Sequence, residues 1–330
     1  MIGDGMGLSQ VSMNMVENGY KPTIFDAAKN IAMQKTYSSN NRVTDSAASG
    51  TALSTGKKTK NGMLGMTPDS VACESITKAA KQKGMSTGVV STSHVQHATP
   101  AAFYANVVNR GSYEEIAVQL SNSSLDLAIG GGLKYMKQEE NGVSLLEKMQ
   151  NNGFLLATNM EELKAANSEK LLALLSEDHM PMLKEGRDAT FLEVATNKAI
   201  ETLSKNENGF FLMVEGSQID WAGHGNDISS LLAEQQDFER AVKVAVDYAN
   251  KTPGVLVVVS ADHETGGLSI ISNKTDFTLS DSGVNYNFGT TGHSGTLVPI
   301  YMYGTGAEKI NGIMENTELN EKMRAILGLK

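Results

Sequence analysis

The chain has a single cysteine among its 330 residues, which excludes an internal disulfide and any metal cluster built on several thiolates. This residue, Cys73, lies in the segment DSVACESITKAAKQKG, whose apolar spacing predicts a helix with Cys73 on its buried face. A low cysteine content also suits an oxidising compartment, in which stray thiols would pair wrongly. We therefore interpret Cys73 as a packing residue without chemistry of its own.

The sequence also lacks a long apolar run and an excess of positive charge. No window approaches the ~20 apolar residues that a membrane span needs, and the first residues show no secretion-signal pattern. The formal net charge is -9 at pH 7, which argues against nucleic acid as a specific partner. An anionic substrate would therefore be attracted by local positive charge, such as bound metal ions.

The chain does contain strand-like and helical segments that alternate from end to end. This alternation predicts an α/β fold with a mainly parallel central sheet flanked by helices. The clearest strands are predicted at 86–92, 209–216, 254–261 and 297–304, and the clearest helices at 190–206 and 229–251. Residues 120–190 are polar and less regular, and residues 268–290 are typical of short antiparallel strands or a loop. No linker divides the chain, so we expect one domain over residues 1–330.

Acidic side chains, histidines and a threonine cluster directly after the predicted strands. The members of this set are Asp4, His94, His97, Thr99, Glu215, Asp220, His224, Asp262, His263 and Glu264. His293 adds a further imidazole within the glycine-rich GTTGHSG. Any one of these motifs taken alone is better explained as a turn or a hydrogen-bonded core histidine. Their repetition favours one shared site, because ligands bind outside the carboxyl ends of the strands in an open α/β sheet.

The residue types in this set indicate metal binding. Carboxylate and imidazole ligands without thiolates suit zinc in open catalytic sites, whereas oxygen ligands from Asp, Glu and Thr suit magnesium. Asp220 and His224 are four residues apart, so a helix would place them one turn apart on one face. The set is large enough to predict more than one metal ion.

Ser46 lies in TDSAASGTA and directly follows Asp45. The simple interpretation is that Asp45 caps a helix of small residues. A serine hydroxyl becomes a useful nucleophile only when a base or a metal activates it, and no G-x-S-x-G motif surrounds Ser46. The N-terminus of a helix also favours an anion. This property and the predicted metal-binding set together indicate phosphoryl transfer to Ser46.

The segments GDGMG, TDSAASGTA, HATPAAFYANVVNR, VEGSQIDWAGH, SADHETGG and GHSG together resemble the alkaline phosphatases. The resemblance runs over almost the whole chain, in the order and spacing of that family. It implies a three-layer fold, two zinc ions with one magnesium ion, and hydrolysis of phosphate monoesters through a phosphoserine. It also implies a homodimer in the periplasm or outside the cell.

The resemblance assigns a role to each matching position. Ser46 corresponds to the nucleophile and Arg110 to the clamp on phosphate. The implied metal ligands are Asp4, Asp262 and His263 for one zinc, with Asp4 bridging two metals, then Asp220, His224 and His293 for the second zinc, and Thr99 and Glu215 for magnesium. Asp45, His97 and Trp221 are expected around these groups. His97 leaves the third metal open, because imidazole favours zinc or cobalt over magnesium.

The resemblance leaves His94, Glu264 and His179 without a role, and we expect them to be structural. The segments 111–214 and 264–292 are short for this family, which predicts a compact form without a large surface domain. Only two residues precede GDG, although a buried strand of about 5–6 residues is expected there. We therefore expect the native first strand and a signal peptide to lie upstream of Met1.

Two alternatives remain at this level. One is a phosphodiesterase or sulfatase-type hydrolase of the same superfamily, although Ser46 with Arg110 favours monoesters. The other is a non-catalytic protein that binds metal or phosphate through a degenerate site. The second alternative is disfavoured because every catalytic position of the family is filled.

Overall fold

The computed structural model of the protein describes residues 1–274 and 283–329. The strands are β1 (Ile2–Gly3), β2 (Asn30–Lys35), β3 (Ser86–His94), β4 (Leu127–Gly131), β5 (Glu139–Glu140), β6 (Val143–Ser144), β7 (Leu155–Ala157), β8 (Leu171–Leu174), β9 (Phe210–Gly216), β10 (Leu256–Ser260), β11 (Glu264–Thr265), β12 (Leu268–Ser272), β13 (Val284–Phe288), β14 (His293–Ser294), β15 (Val298–Gly304) and β16 (Gly312–Glu315).

The helices alternate with these strands along the chain. They are α1 (Leu8–Glu17), α2 (Ser46–Thr55), α3 (Ile76–Gln82), α4 (Ala98–Ala101), α5 (Tyr113–Ser121), α6 (Leu133–Met136), α7 (Leu145–Asn151), α8 (Met160–Ala165), α9 (Phe191–Leu203), α10 (Gln218–His224), α11 (Ile228–Lys251) and α12 (Asn316–Leu327). Within the described ranges, no helix combines the length and apolar character that crossing a membrane requires.

Ten strands form one central sheet in the order β16-β2-β15-β10-β1-β9-β3-β4-β8-β7. Strand β15 runs antiparallel to both of its neighbours, and the other pairings in this sheet are parallel. The predicted fold class is therefore confirmed. The four strands predicted from apolar runs correspond to β3, β9, β10 and β15.

Apolar side chains leave the sheet on alternate faces and form two separate cores. Val90 belongs to the core that includes residues of α1, α9 and α11, while its neighbour Val89 belongs to the other core, with residues of α2, α5 and α12. The same alternation separates Leu171 from Leu172 in β8. Successive residues of a strand point to opposite faces, so an apolar run can supply both cores at once.

Strand β1 lies at the centre of the sheet, where it places the GDG motif. Ile2 pairs with Glu215 of β9 on one side and with Ser260 of β10 on the other. Asp4 therefore leaves the sheet beside the ends of both neighbouring strands. Gly5 then turns with φ +74°, and a Cβ there would lie 2.9 Å from the Cα atom of Asp220, so this turn requires glycine.

Two sequence-based expectations about local structure need correction. Cys73 lies in a loop and is partly exposed, because the Ser75 hydroxyl accepts from the N–H of Lys78 and starts α3 only at Ile76. Residues 120–190 are more regular than predicted, since β4, β7 and β8 all join the central sheet. The predicted antiparallel strands at 268–290 are present as the β12–β13 pair, and residues 275–282 of that segment lie outside the described residues.

A buried arginine joins the loop after β8 to α11 and to α10, the helix that carries Asp220 and His224. The side chain of Arg187 has no exposed surface, and its guanidinium contacts Glu234 and lies 2.8 Å from Asp237. It also donates to the Oε1 atom of Gln218 at the start of α10. Removing one partner of a buried ion pair leaves the other charge without compensation.

We expect Arg187→Met to lower the free energy of unfolding by about 3–5 kcal/mol, because the buried Glu234 loses its counter-charge and Asp237 keeps only the partly exposed Arg240. Arg240→Met is the matched control, since Arg240 also contacts Asp237 but its side chain is 41% exposed. This control should cost less than about 1 kcal/mol. Urea denaturation followed by circular dichroism measures both changes, and equal losses in the two variants would contradict the argument.

Candidate active site

Most of the predicted site residues meet at the carboxyl end of the central sheet. Asp4 follows β1, Glu215 lies near the end of β9, and Asp262 follows β10. Helix α10 starts two residues after β9 and carries Asp220 and His224. The topology therefore brings together side chains that are up to 289 residues apart in the chain, from Asp4 to His293.

The first group of possible metal ligands consists of Asp4, Asp262 and His263, all fully buried. The Nε2 atom of His263 lies 3.3 Å from Oδ1 of Asp4 and 3.3 Å from Oδ2 of Asp262. The other oxygen of Asp262 accepts from the N–H groups of Gly5 and His263. Backbone donors thus fix this carboxylate so that its Oδ2 atom faces the group.

The second group consists of Asp220, His224 and His293. The Nε2 atoms of the two histidines lie 3.2 Å apart, at 3.3 and 3.5 Å from the oxygens of Asp220. Each Nδ1 atom contacts a backbone carbonyl, that of Thr291 for His224 and that of Thr44 for His293. A carbonyl at Nδ1 holds the proton there and leaves Nε2 free to bind a metal.

Thr99 and Glu215 lie beside the first group. The hydroxyl of Thr99 lies 3.4 Å from Oδ2 of Asp4. Glu215 is fully buried and accepts from Ser91 through Oε2 at 2.6 Å. These oxygen atoms, together with Asp4, form the kind of set that a hard cation prefers.

Four buried carboxylates share this region, so their charges oppose one another. Burial, followed by the charges of Asp262 and Asp220, raises the pKa of Asp4 well above its usual range. Burial and Asp220 raise the pKa of Asp262 to about 7, and burial also raises the pKa of Glu215. Burial opposes ionisation of Asp220 as well, but hydrogen bonds from His224 and His293 hold its pKa well below the usual value. The site therefore favours bound positive charge.

The unpaired atoms of the site are suited to metal cations. Among the described residues, Oδ1 of Asp4, Oδ2 of Asp262 and Oε1 of Glu215 are buried without a hydrogen-bond partner. Buried oxygens are normally satisfied by a donor or by a cation. The carboxylate and imidazole donors present in both groups fit divalent metal ions.

Ser46 begins helix α2 and is buried against the first group. Its hydroxyl oxygen lies 3.2 Å from Nε2 of His263. Asp45 caps the helix by accepting from the N–H of Ala48 at 2.9 Å, as the simple interpretation of this stretch predicts. Its other oxygen accepts from Arg110 at 3.0 Å, so Asp45 also fixes the guanidinium next to the helix N-terminus. An anion at this corner could contact the Ser46 hydroxyl, the planar guanidinium of Arg110 and the positive N-terminus of α2.

The comparisons with known proteins agree with this geometry. A sequence profile described as alkaline phosphatase matches residues 1–281. Alkaline phosphatase of Escherichia coli is 33% identical to the chain, over 100% of this chain and 85% of its own length. The structure of alkaline phosphatase from the Antarctic bacterium TAB5 superposes with a TM-score of 0.92 at 40% identity, over 100% of this chain and 96% of that one. The chain belongs to the alkaline phosphatase family.

Members of the alkaline phosphatase family are enzymes that hydrolyse phosphate monoesters. Alkaline phosphatase 3 of Bacillus subtilis is 37% identical over 82% of this chain, and the match spans 61% of the Bacillus protein. A variant of the TAB5 enzyme, in which an aspartate replaces a histidine, is described with magnesium bound. The predicted family resemblance is thus confirmed.

Two further predicted residues of this alkaline phosphatase family member lie at the edge of the site. His97 lies 3.3 Å from the Arg110 guanidinium through Nε2, and burial followed by the Arg110 charge lowers its pKa well below the usual value. The ring of Trp221 stands edge-on to His97 with 6.3 Å between centroids. Both side chains therefore lie close to the phosphate-binding corner.

No motif of the sequence indicates that His179, to which the resemblance gives no role, lies beside the predicted site. Its ring centroid is 4.6 Å from that of Trp221 and 5.4 Å from that of His97. His179 lies in the loop after β8, far along the chain from both rings, and no local pattern could reveal this contact. The expectation of a structural role fits Glu264, which accepts from Gln10 and from the N–H groups of Gly267 and Leu268.

We expect zinc binding to metal-free protein to release a proton from His224. Its hydrogen bond with Asp220 raises the pKa of His224 to about 9, so the ring is charged below that pH and must lose a proton to bind metal. Above the pKa the ring is already neutral, and release should fall as the pH passes through about 9. Calorimetry in buffers of different ionisation enthalpy counts these protons. A count that stays constant across this range would contradict the proposed ligand role.

Proposed function

We propose that the protein hydrolyses phosphate monoesters through a phosphoserine on Ser46. The observation that carries this proposal is the position of the Ser46 hydroxyl, which lies 3.2 Å from Nε2 of His263 in the first metal-binding group. Ser46 also directly follows Asp45, the residue that accepts a hydrogen bond from Arg110. Family membership supports the same reaction class. The fold alone would not, since related folds carry several chemistries.

We assign the metal ligands by combining the two groups with the family resemblance. Asp4, Asp262 and His263 would hold one zinc ion, and Asp220, His224 and His293 would hold the second. Asp4, Thr99 and Glu215 would hold a third ion, which is magnesium or another divalent metal. When bound, these ions would lower the pKa of coordinated hydroxyl groups and neutralise charge on the phosphoryl oxygens.

The residues of the chain itself account for binding and covalent chemistry. Arg110 would donate two parallel N–H bonds to the phosphate, and Asp45 holds its guanidinium in place through Nη1. The Ser46 oxygen then forms a bond to phosphorus while the bond from phosphorus to the substrate alcohol breaks. The serine proton is balanced by the proton that the alcohol gains. Water next cleaves the phosphoserine, which restores the Ser46 hydroxyl and releases phosphate.

The alternative reactions make different demands on this site. A diester has only two unesterified oxygens, so if Arg110 held both, an ester oxygen would face the metal-binding groups, whereas a monoester would place a third free oxygen there. Arg110 together with the metal-binding groups therefore favours monoesters. Turnover of p-nitrophenyl phosphate should greatly exceed that of bis-p-nitrophenyl phosphate. Faster turnover of the diester would favour the diesterase, and turnover of neither ester would favour a protein that only binds metal or phosphate.

Three further features are proposed from the resemblance. Residues 1–330 would act as one catalytic domain, two copies of the chain would form a homodimer, and the protein would work in the periplasm or outside the cell. The compact three-layer architecture supports the first of these. Light scattering and cell fractionation would test the other two.

We expect Ser46→Ala to lower kcat by roughly 10³-fold or more, because no covalent intermediate can form, while the metal ligands remain. Ser54→Ala is a matched control on the same helix, since the Ser54 hydroxyl donates to the carbonyl of Ala102, away from the site. Acid-quenched protein incubated with phosphate should carry phosphoserine at Ser46, as mass spectrometry can show. Phosphate trapped on a different residue would refute the assignment.

We expect Arg110→Ala to raise KM for a monoester by about 10–100-fold, because the two charge-assisted hydrogen bonds to phosphate are lost. Arg110→Lys should restore affinity only in part, since an ammonium cannot form the planar fork. Arg42→Ala, at an exposed position near Ser46 in the chain, is the control and should bind normally. Zinc content measured by atomic emission should be equal in all three variants, and loss of zinc from Arg110→Ala would mean that Arg110 supports the metals instead.

A further inference from the structure

A third group of nitrogen and oxygen donors lies outside the proposed catalytic ligands. His94 ends strand β3, while Asp178 and His179 lie in the loop after β8. One ligand atom from each of these three residues lies within 4.8 Å of the others. The rings of His94 and His179 stack with 4.1 Å between centroids. Strand β4 pairs with both β3 and β8 and so brings the two segments together.

His94 is the least satisfied member of this group. Its side chain is buried, and neither ring nitrogen has a hydrogen-bond partner in the described part of the chain. Two polar nitrogens without partners are unusual in a protein interior, because their desolvation is not repaid. Burial also lowers the pKa of His94 to about 3, so the ring is neutral at physiological pH and keeps the lone pair that a metal requires.

The other two members open the group to solvent. Asp178 is exposed and contacts the Lys134 ammonium through Oδ2 at 2.5 Å, which leaves Oδ1 for another partner. Nδ1 of His179 accepts from the backbone N–H of His94 at 3.2 Å, a long hydrogen bond. Rotation of this ring about its Cβ–Cγ bond would exchange that weak contact for a bond to a metal.

We propose that His94, His179 and Asp178 bind a divalent metal ion of the zinc type at a site separate from the catalytic ligands. Two imidazoles and one carboxylate form a donor set that zinc uses in open sites, where water fills the fourth position. The ion can enter beside the exposed carboxylate of Asp178. None of the three donors belongs to the ligand sets proposed for catalysis, so the two proposals stand independently.

Metal at this site would fix the loop that carries His179. The His179 ring contacts Trp221 and His97, and His97 contacts Arg110. The ion would therefore link the end of β3, through His179, to the rings of His97 and Trp221 beside the phosphate-binding corner. This role is structural support, since the ion itself would not contact the substrate.

Zinc titration of the metal-loaded protein by calorimetry tests the site. The wild-type chain should bind one further zinc ion after its catalytic sites are filled. Asp178→Asn and His179→Asn should each weaken that step by at least about tenfold, because each removes a ligand. Asp178 is exposed and His179 is only partly buried, so neither substitution removes a side chain from the core. The test therefore needs no variant of the buried His94, which could fail to fold.

Glu177→Gln is the matched control. Glu177 neighbours Asp178, is exposed and contacts Lys137 much as Asp178 contacts Lys134, but it is not a member of the donor group. Its affinity for the additional zinc should equal that of wild type. Absence of an additional zinc in wild type, or equal affinities in Asp178→Asn and Glu177→Gln, would overturn the proposal. Loss of phosphatase activity would not affect this test, because activity is not its readout.

Discussion

Mutual repulsion among buried carboxylates is the constraint on which the site depends. Asp4, Glu215 and Asp262 have no exposed surface, and Asp220 is 5% exposed. Charges in such a poorly solvated region interact strongly and are expensive to bury without partners. Arg110 contacts Asp45 and His97, and among these four acids only Asp220 has histidine hydrogen-bond partners that favour its ionised form. The ionised forms of Asp4, Glu215 and Asp262 therefore require further cations. Bound metal ions would meet that requirement, and the same ions would serve phosphoryl transfer.

The architecture explains how one fold concentrates these acids. Parallel strands end at the same edge of the sheet, and β1, β9 and β10 are adjacent there. Asp4 and Asp262 lie just beyond β1 and β10, and Glu215 lies near the end of β9. Gly5 lets the turn after Asp4 pass close to Asp220 of α10. The apolar residues of the strands build the two cores, and the polar residues just beyond the strands build the site. The strands therefore stabilise the fold, while the residues that follow them carry the chemistry.

Much of this arrangement could be predicted from sequence because it is local. Strands β3, β9, β10 and β15 are rich in branched or aromatic residues, which mark buried strands. Strands β7 and β8 read LLA and LLAL, and Leu and Ala favour helices by intrinsic propensity, so the sheet context had to decide their conformation. The family resemblance likewise implies the members of both ligand groups.

The features that sequence did not reveal arise from long-range contacts or from single capping residues. His179 reaches His94 across 85 residues through the pairing of three strands, and no spacing rule encodes such a contact. Cys73 was placed on a helix because its segment has helical periodicity, but the cap at Ser75 excludes it. The distances between the two ligand groups also depend on the ten-stranded sheet as a whole.

We propose that metal cations compensate the buried acids at the carboxyl end of the sheet. Anomalous X-ray diffraction at the zinc absorption edge, on crystals grown with zinc, would locate such ions. We expect one strong peak at Asp4, Asp262 and His263 and a second at Asp220, His224 and His293. Absence of peaks from both groups, with the carboxylates instead paired to protein cations or protonated, would contradict it.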